Sequence, residues 1–210
     1  MARYREAVCR LCRREGMKLY LKGERCFTEK CAIERTNVPP GQHGGARRRK
    51  LGNYGEQLRM KQRARRVYGV LETQFRNIFE KAERQSGKTG ENLLVLLERR
   101  LDTIVHRAGF ATSRAHARQL VLHGHVRVNG RKVNVPSALV NVNDEITLKD
   151  GMKENAVVLQ AKELAGRQSI PSWLEVDRDA VRAKLTSLPK REELITPPVN
   201  EQLIVELYSR

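Results

Sequence analysis

All four cysteines of the chain lie between residues 9 and 31, in the stretch CRLCRREGMKLYLKGERCFTEKC, and their spacing is the strongest single constraint on how it folds. Two residues separate Cys9 from Cys12, four separate Cys26 from Cys31, and thirteen lie between the pairs. Each pair can wrap one ion in a tight turn, and four thiolates complete a tetrahedral shell. The segment has few large apolar side chains, so an ion would do the folding work of a core. Two disulfides or four unpaired thiols are the other readings. Disulfides suit a reducing compartment poorly, and the opening MARYREAVCRLCRR has no apolar run of the secretory kind, which places the chain in the cytosol. Zn2+ is the default ion, and a 4Fe-4S cluster uses the same donors. With every position filled by protein, the metal is expected to be structural.

Seven Lys and Arg lace this stretch, and the whole chain sets 41 basic against 24 acidic side chains, a formal charge of +17. Residues 1 to 70 hold 19 of the basic groups and 6 of the acidic ones. Such self-repulsion disfavours a compact fold unless a polyanion neutralises it, and nucleic acid is the simplest neutraliser. The candidates in the cysteine segment are Arg3, Arg10, Arg13, Arg14, Lys22 and Arg25. The following TNVPPGQHGGARRRKLGNYG, residues 36 to 55, is too rich in Pro and Gly for a regular element. It reads as an extended arm placing His43, Arg47, Arg48, Arg49 and Lys50 against phosphates. Uncharged stretches never exceed 11 residues, short of the ~20 a spanning helix needs, so no membrane partner is expected.

From Glu56 the spacing turns helical, with Met60, Ala64, Val67, Tyr68 and Leu71 as the packed stripe and Arg59, Lys61, Arg63, Arg65 and Arg66 covering the other faces. Phe75, Ile78, Phe79 and Ala82 mark a second helix, which Gly87 and Gly90 end. The SGKT beside them is not a phosphate-binding loop, because the glycine it needs is Ala82 and no strand precedes it. A third helix runs from about Glu91 to Gly109, with Leu93, Leu97, Leu101, Ile104 and Val105 facing inward. A shorter one, capped by Thr112 or Ser113, ends at Gly124.

The period then changes from 3.6 to 2. HVRVNGRKVNV reads as a hairpin turning at Asn129-Gly130, with DEITL and NAVVLQA as further strands. A helix from about Arg178 to Leu188 precedes a short closing helix whose face, Leu203, Ile204, Leu207 and Tyr208, is expected to fold back on the helices of residues 56 to 90. The fold class is α+β: a mainly helical discontinuous domain with a metal-bound N-terminal knuckle, plus a small helix-turn-helix and antiparallel-sheet RNA-binding module. The divisions are 1–45 for knuckle and arm, 46–98 with 178–210 for the helical domain, 99–163 for the module and 164–177 for a connector.

No nucleophile with a base, HExxH pair, phosphate loop, dinucleotide fingerprint or paired carboxylates is found. No enzyme activity and no small-molecule substrate are expected. His106, His116, His123 and His125 are spaced by 10, 7 and 2 residues, which suits surface or RNA-stacking roles better than metal ligation.

Four segments carry a resemblance: the cysteine stretch through PPGQHG, RRLDTIVHRAGFATSRAHARQLVLHGHVRVNGRKVNVPS, PSWLEVD, and the closing PVNEQLIVELYSR. In order and over the full length they resemble the family of bacterial small ribosomal subunit protein four, in its four-cysteine form. The resemblance implies direct binding to 16S rRNA that nucleates assembly of the 30S body, and a place on the mRNA entry side. It also implies a neighbouring small-subunit ribosomal protein, number five, with an influence on translational accuracy. It further implies that Arg114, His116, Arg118, Gln119, His123, His125, Asn129 and Lys132 face RNA, while Asp102 and Gly109 are structural. A zinc-containing DNA-binding regulator is the rival, suggested by the helix-turn-helix look of residues 93 to 123.

Overall fold

The computed structural model describes residues 4–46, 50–152, 154–165, 170–194 and 199–209. The chain divides into two compact units, Met1–Leu94 with Ile195–Arg210, and Val95–Leu194.

The first unit opens with α1 (Cys9–Glu15), which Gly16 ends at φ 67°. A 3-10 turn (Gly23–Phe27) and the single-turn α2 (Ala32–Arg35) follow. Then come α3 (Asn53–Val67) and α4 (Glu72–Glu83). The buried stripe of α3 is Gln57, Lys61, Ala64 and Val67, with Tyr68 just beyond the helix. It includes two polar positions outside the expected stripe, and Met60 stays half-exposed. Phe75, Phe79 and Ala82 of α4 are buried as their spacing predicts. The Asn92 amide donates to the carbonyls of Ala82, Gln85 and Ser86, and so ties the helix that follows to the end of α4 and the turn after it.

The long third helix is two. α5 (Thr89–Glu98) and α6 (Leu101–Arg107) are separated where the Arg100 backbone turns extended and bridges Leu139. The break has a tertiary cause. Arg100 is buried and donates twice to the Asp102 carboxylate, at 3.0 and 2.7 Å, while Arg118 adds a third bond at 3.1 Å.

In the second unit α7 (Arg114–Leu122) begins at Ser113, whose hydroxyl accepts from the His116 N–H. Strands β1 (Val126–Val128) and β2 (Arg131–Lys132) form the hairpin, with Asn129 and Gly130 at φ 50° and 77°, the two positive values a type I′ turn demands. β3 (Glu145–Leu148) pairs with β1.

NAVVLQA is not a strand but lies within α8 (Ala156–Ala165). The Asn155 side chain accepts from the Val157 N–H at its start, and Val158 and Ala161 point inward three residues apart while Val157 and Leu159 are exposed. The helix expected from Arg178 to Leu188 is also absent. β4 (Leu174–Asp177) and β5 (Arg182–Leu185) pair there, extending the antiparallel order to β2-β1-β3-β5-β4. Asp177 accepts from the N–H groups of Asp179 and Ala180, Val181 takes φ 53°, and Ala183 and Leu185 alternate inward against exposed Arg182 and Lys184. β4 and the buried Trp173 fall in the stretch read as a connector.

The core of this unit joins Ile104, Phe110, Val121, Val126, Ile146, Val158, Trp173 and Leu185 from helices and sheet. The last helix, α9 (Glu201–Tyr208), belongs to the first unit and packs on α3. Its Ile204 is buried, Tyr208 stacks on Phe79 at 4.4 Å, and Glu206 accepts from the Gln57 amide.

Candidate nucleic-acid interface

The thiols lie on three short elements of the first unit: Cys9 and Cys12 on α1, Cys26 in the 3-10 turn and Cys31 just before α2. Cys12, Cys26 and Cys31 are buried and Cys9 half-buried, and none forms a disulfide. Burial pushes the Cys12 and Cys26 thiols up, the backbone N–H of Leu19 and of Lys22 respectively pulls against it, and the neighbouring thiols add to the rise. The Lys22 N–H sits 3.4 Å from the Cys26 sulfur. Backbone N–H groups are thus aimed at two of the sulfurs. Among the described residues, no group of three or more His, Cys, Asp or Glu is arranged to hold a metal.

The cations of the first unit fall into two sets. On α3, Arg59 and Arg66 both donate to Glu15, whose side chain is 1% exposed at the end of α1. Lys61 and Arg65 both reach Glu72, and burial of that carboxyl is outweighed by these two cations, which hold it below the usual carboxylate range. Arg63 is half-buried beside the Met60 sulfur. The face read as uniformly cationic is thus partly a seam of ion pairs. By contrast Arg10, Arg14, Lys22, Arg25, His43 and Lys50 are exposed, Arg13 is half-buried with its guanidinium toward the Val38 carbonyl, and Arg10 makes only a long surface pair with Glu6. Arg3, Arg47, Arg48 and Arg49 lie outside the described residues.

In the second unit the candidates also divide. Arg118 is buried on Asp102, and the Asn129 amide donates to Asp144 while its oxygen accepts from the Glu145 N–H, pinning the hairpin to β3. His116 is half-buried, and burial lowers its pKa. Arg114 is half-buried, and Gln119 is exposed. His123 and His125 meet edge to face at 6.0 Å, and Lys132 is exposed on β2. His106, grouped with the surface histidines, is instead half-buried, and burial first and then Arg114 and Arg107 hold its imidazole well below its ordinary pKa.

Arg127 stands directly across from Lys132, and Arg131 and Lys149 are exposed nearby, with the Lys149 N–H on the His125 carbonyl. Arg127 and Lys149 join His123, His125 and Lys132 as basic side chains around β1 and β2, while Arg131 stands across from Val128 on the other face of the hairpin. The alternation in VRV carried the signal for Arg127, since a residue flanked by inward valines must point outward, whereas Arg131 is exposed because β2 is an edge strand.

Residues 3–98 match the model of the ribosomal protein S4/S9 N-terminal domain, and residues 99–146 match the S4 domain. Over all 210 residues, and the full length of each relative, the chain is 62% identical to small ribosomal subunit protein uS4 of Solibacter usitatus. The same protein of Koribacter versatilis and of Pelotomaculum thermopropionicum is 59% identical over the same span. The chain belongs to the uS4 family of small ribosomal subunit proteins.

Members of the uS4 family are structural proteins and not enzymes. The basic hairpin surface therefore lies within, or next to, a recognised S4 RNA-binding domain, with Arg127 and Lys132 inside its matched limits. Among the described residues, no helix is long and apolar enough to cross a membrane.

Proposed function

We propose that this chain binds 16S rRNA directly as a structural part of the cytoplasmic small subunit. The single observation that carries this reading is the separation of cations into paired, buried ones and exposed ones. Arg127, Lys132 and Lys149 in one unit and Arg14, Lys22, Arg25 and Lys50 in the other project to the surface. Phosphate contacts of this kind supply affinity, and the hairpin with its two histidines supplies orientation on a folded RNA. We propose further that it acts early, nucleating the 30S body, and that it lies on the mRNA entry side beside small-subunit protein five, so that it bears on translational accuracy. The full-length resemblance to uS4 proteins supports that placement.

For the thiol cluster we propose Zn2+ held by Cys9, Cys12, Cys26 and Cys31, with a 4Fe-4S cluster as the alternative. Burial of three thiols and the N–H groups on two sulfurs support it. A bound ion would supply a cross-link among α1, the 3-10 turn and α2. Elemental analysis of protein purified without chelator and without air tests this, and protein holding neither zinc nor iron would refute it.

The rRNA reading is tested by titrating the intact chain with a 16S rRNA transcript at several salt concentrations, with duplex DNA as competitor. Several neutralised phosphates predict a steep fall of affinity with salt and poor competition by DNA. A flat salt dependence, or equal competition by DNA, would overturn it.

A further inference from the structure

In the first unit, Tyr20 and Phe27 lie with ring centroids 5.1 Å apart and planes inclined by 30°. Both face outward, with 42% and 59% of their surface exposed, and Phe27 is the most exposed large hydrophobic side chain among the described residues. Phe75, Phe79, Phe110, Tyr68 and Trp173 are buried, and although Tyr4 and Tyr54 are also exposed, Tyr20 and Phe27 are exposed as a pair in ring contact. Water contact with two apolar rings is unfavourable, and an exposed aromatic pair held together marks a surface made for a partner.

The backbone is shaped to present it. Tyr20 has φ 52°, a left-handed conformation that costs a bulky residue free energy, while its neighbour Leu19 is fully buried. The turn sends Leu19 inward and the phenol ring out against Phe27. Three exposed cations, Lys22, Arg25 and Lys30, lie within three residues of one ring or the other, against the two carboxylates Glu24 and Glu29. Flat π-faces with cations close by match what an unpaired nucleotide offers, a base to stack and a phosphate to neutralise.

We infer that Tyr20 and Phe27 form a stacking platform for an unpaired base of the rRNA, with Lys22, Arg25 and Lys30 meeting its flanking phosphates. The inference rests on the rRNA reading and deepens it, adding two aromatic residues to an interface otherwise argued from charge.

The test uses the intact chain and a 16S rRNA transcript. Phe27→Leu keeps an apolar side chain but loses the π-face, and is expected to weaken binding about fivefold or more with the salt slope unchanged, because no counterion contact is lost. Phe27→Tyr is expected to bind as the unsubstituted chain does, and thermal melts of both variants confirm folding. Short-wavelength ultraviolet irradiation of the complex should place a nucleotide adduct on the peptide holding Tyr20 or Phe27. If Phe27→Leu binds as tightly as the parent chain and no adduct forms there, the platform is overturned, while the parent chain's steep salt dependence would leave the rRNA reading standing. If the Leu variant binds the transcript normally but fails to enter complete subunits, the rings belong to a protein neighbour, and the inference is again overturned. Failure of the parent chain itself to bind rRNA would remove both readings.

Discussion

Replacing Asp102 by alanine removes the one carboxylate that serves two buried guanidinium groups. The side chains of Arg100, Asp102 and Arg118 are 2%, 5% and 7% exposed, so water cannot take the carboxylate's place. Removing one partner of such a buried set costs about 3–5 kcal/mol, because it leaves uncompensated charge behind. Here Arg100 loses both bonds to this carboxylate and Arg118 loses one, so a cost within that range is expected. A domain's entire stability is about 5–15 kcal/mol, and for a domain of this size each kcal/mol moves the melting point by roughly 4–8 °C. Even the lower bound therefore shifts Tm by at least ~12 °C. Trp173 is the only tryptophan and is 1% exposed in the second unit, so its fluorescence during urea titration reports on this unit alone. The midpoint should fall with the slope unchanged. Exchanging all three residues together for apolar ones should recover most of the loss, since no charge is then stranded. A loss below about 1 kcal/mol for Asp102→Ala, or no recovery in the triple variant, would refute the idea that the pair energetics stabilise this unit.

Glu72 has a folded-state pKa held below its ordinary 4.5, so its contribution is present above about pH 4.5 and lost as pH falls through the lowered value. Glu72→Gln should flatten the acid limb of amide protection measured by hydrogen exchange in α3 and α4. His106 behaves in the same direction for a different reason: the folded protein excludes a proton that the unfolded chain takes up. Stability of the second unit is therefore full above its ordinary 6.5 and declines below it, and His106→Leu should flatten the change in urea midpoint between pH 6.5 and about pH 5. Gly109 has φ 78°, and a Cβ there would run into Ala165, so Gly109→Ala should destabilise by more than about 1 kcal/mol in the same titration. Asn155→Ala removes the side chain that accepts at the start of α8 and should cost about 1 kcal/mol, read as a lower urea midpoint.

How much of this was legible in the sequence depended on whether the cause was local. Asn129-Gly130 announces its turn because both residues tolerate positive φ, and α3, α4, α7 and α9 follow from apolar spacing alone. α8 was misread because a short apolar run such as AVVL carries no usable period, and the deciding signal was the small one of Asn155. The stretch AVRAKLTSL satisfies helical spacing and strand alternation at once, and the Asx turn at Asp177 selects the strand. Nothing in LLERRLDTI breaks a helix locally; the break is held by residues about 35 to 40 positions further on, where the backbone of Arg99 to Asp102 pairs with that of Pro136 to Val140. The interface was legible in its charge and illegible in its pairing. Lys61, Arg59 and Arg66 read as cations like any others, because sequence does not reveal that Glu72 and Glu15 meet them. Arg127, Arg131 and Lys149 were passed over although strand alternation places the first of them outward.

The meeting of Glu15 with Arg59, 44 residues apart in the chain, has a consequence in polymer terms. The chain leaving Glu15 and the chain entering Arg59 are thereby held together, so both ends of the segment that carries PPGQHGG are tied. Closure has already removed part of the entropy that an open segment would lose on being ordered by a partner. A substitution of Glu15 would undo that tie without touching a single cation of the arm. On the rRNA reading proposed above, affinity would then fall through chain statistics alone.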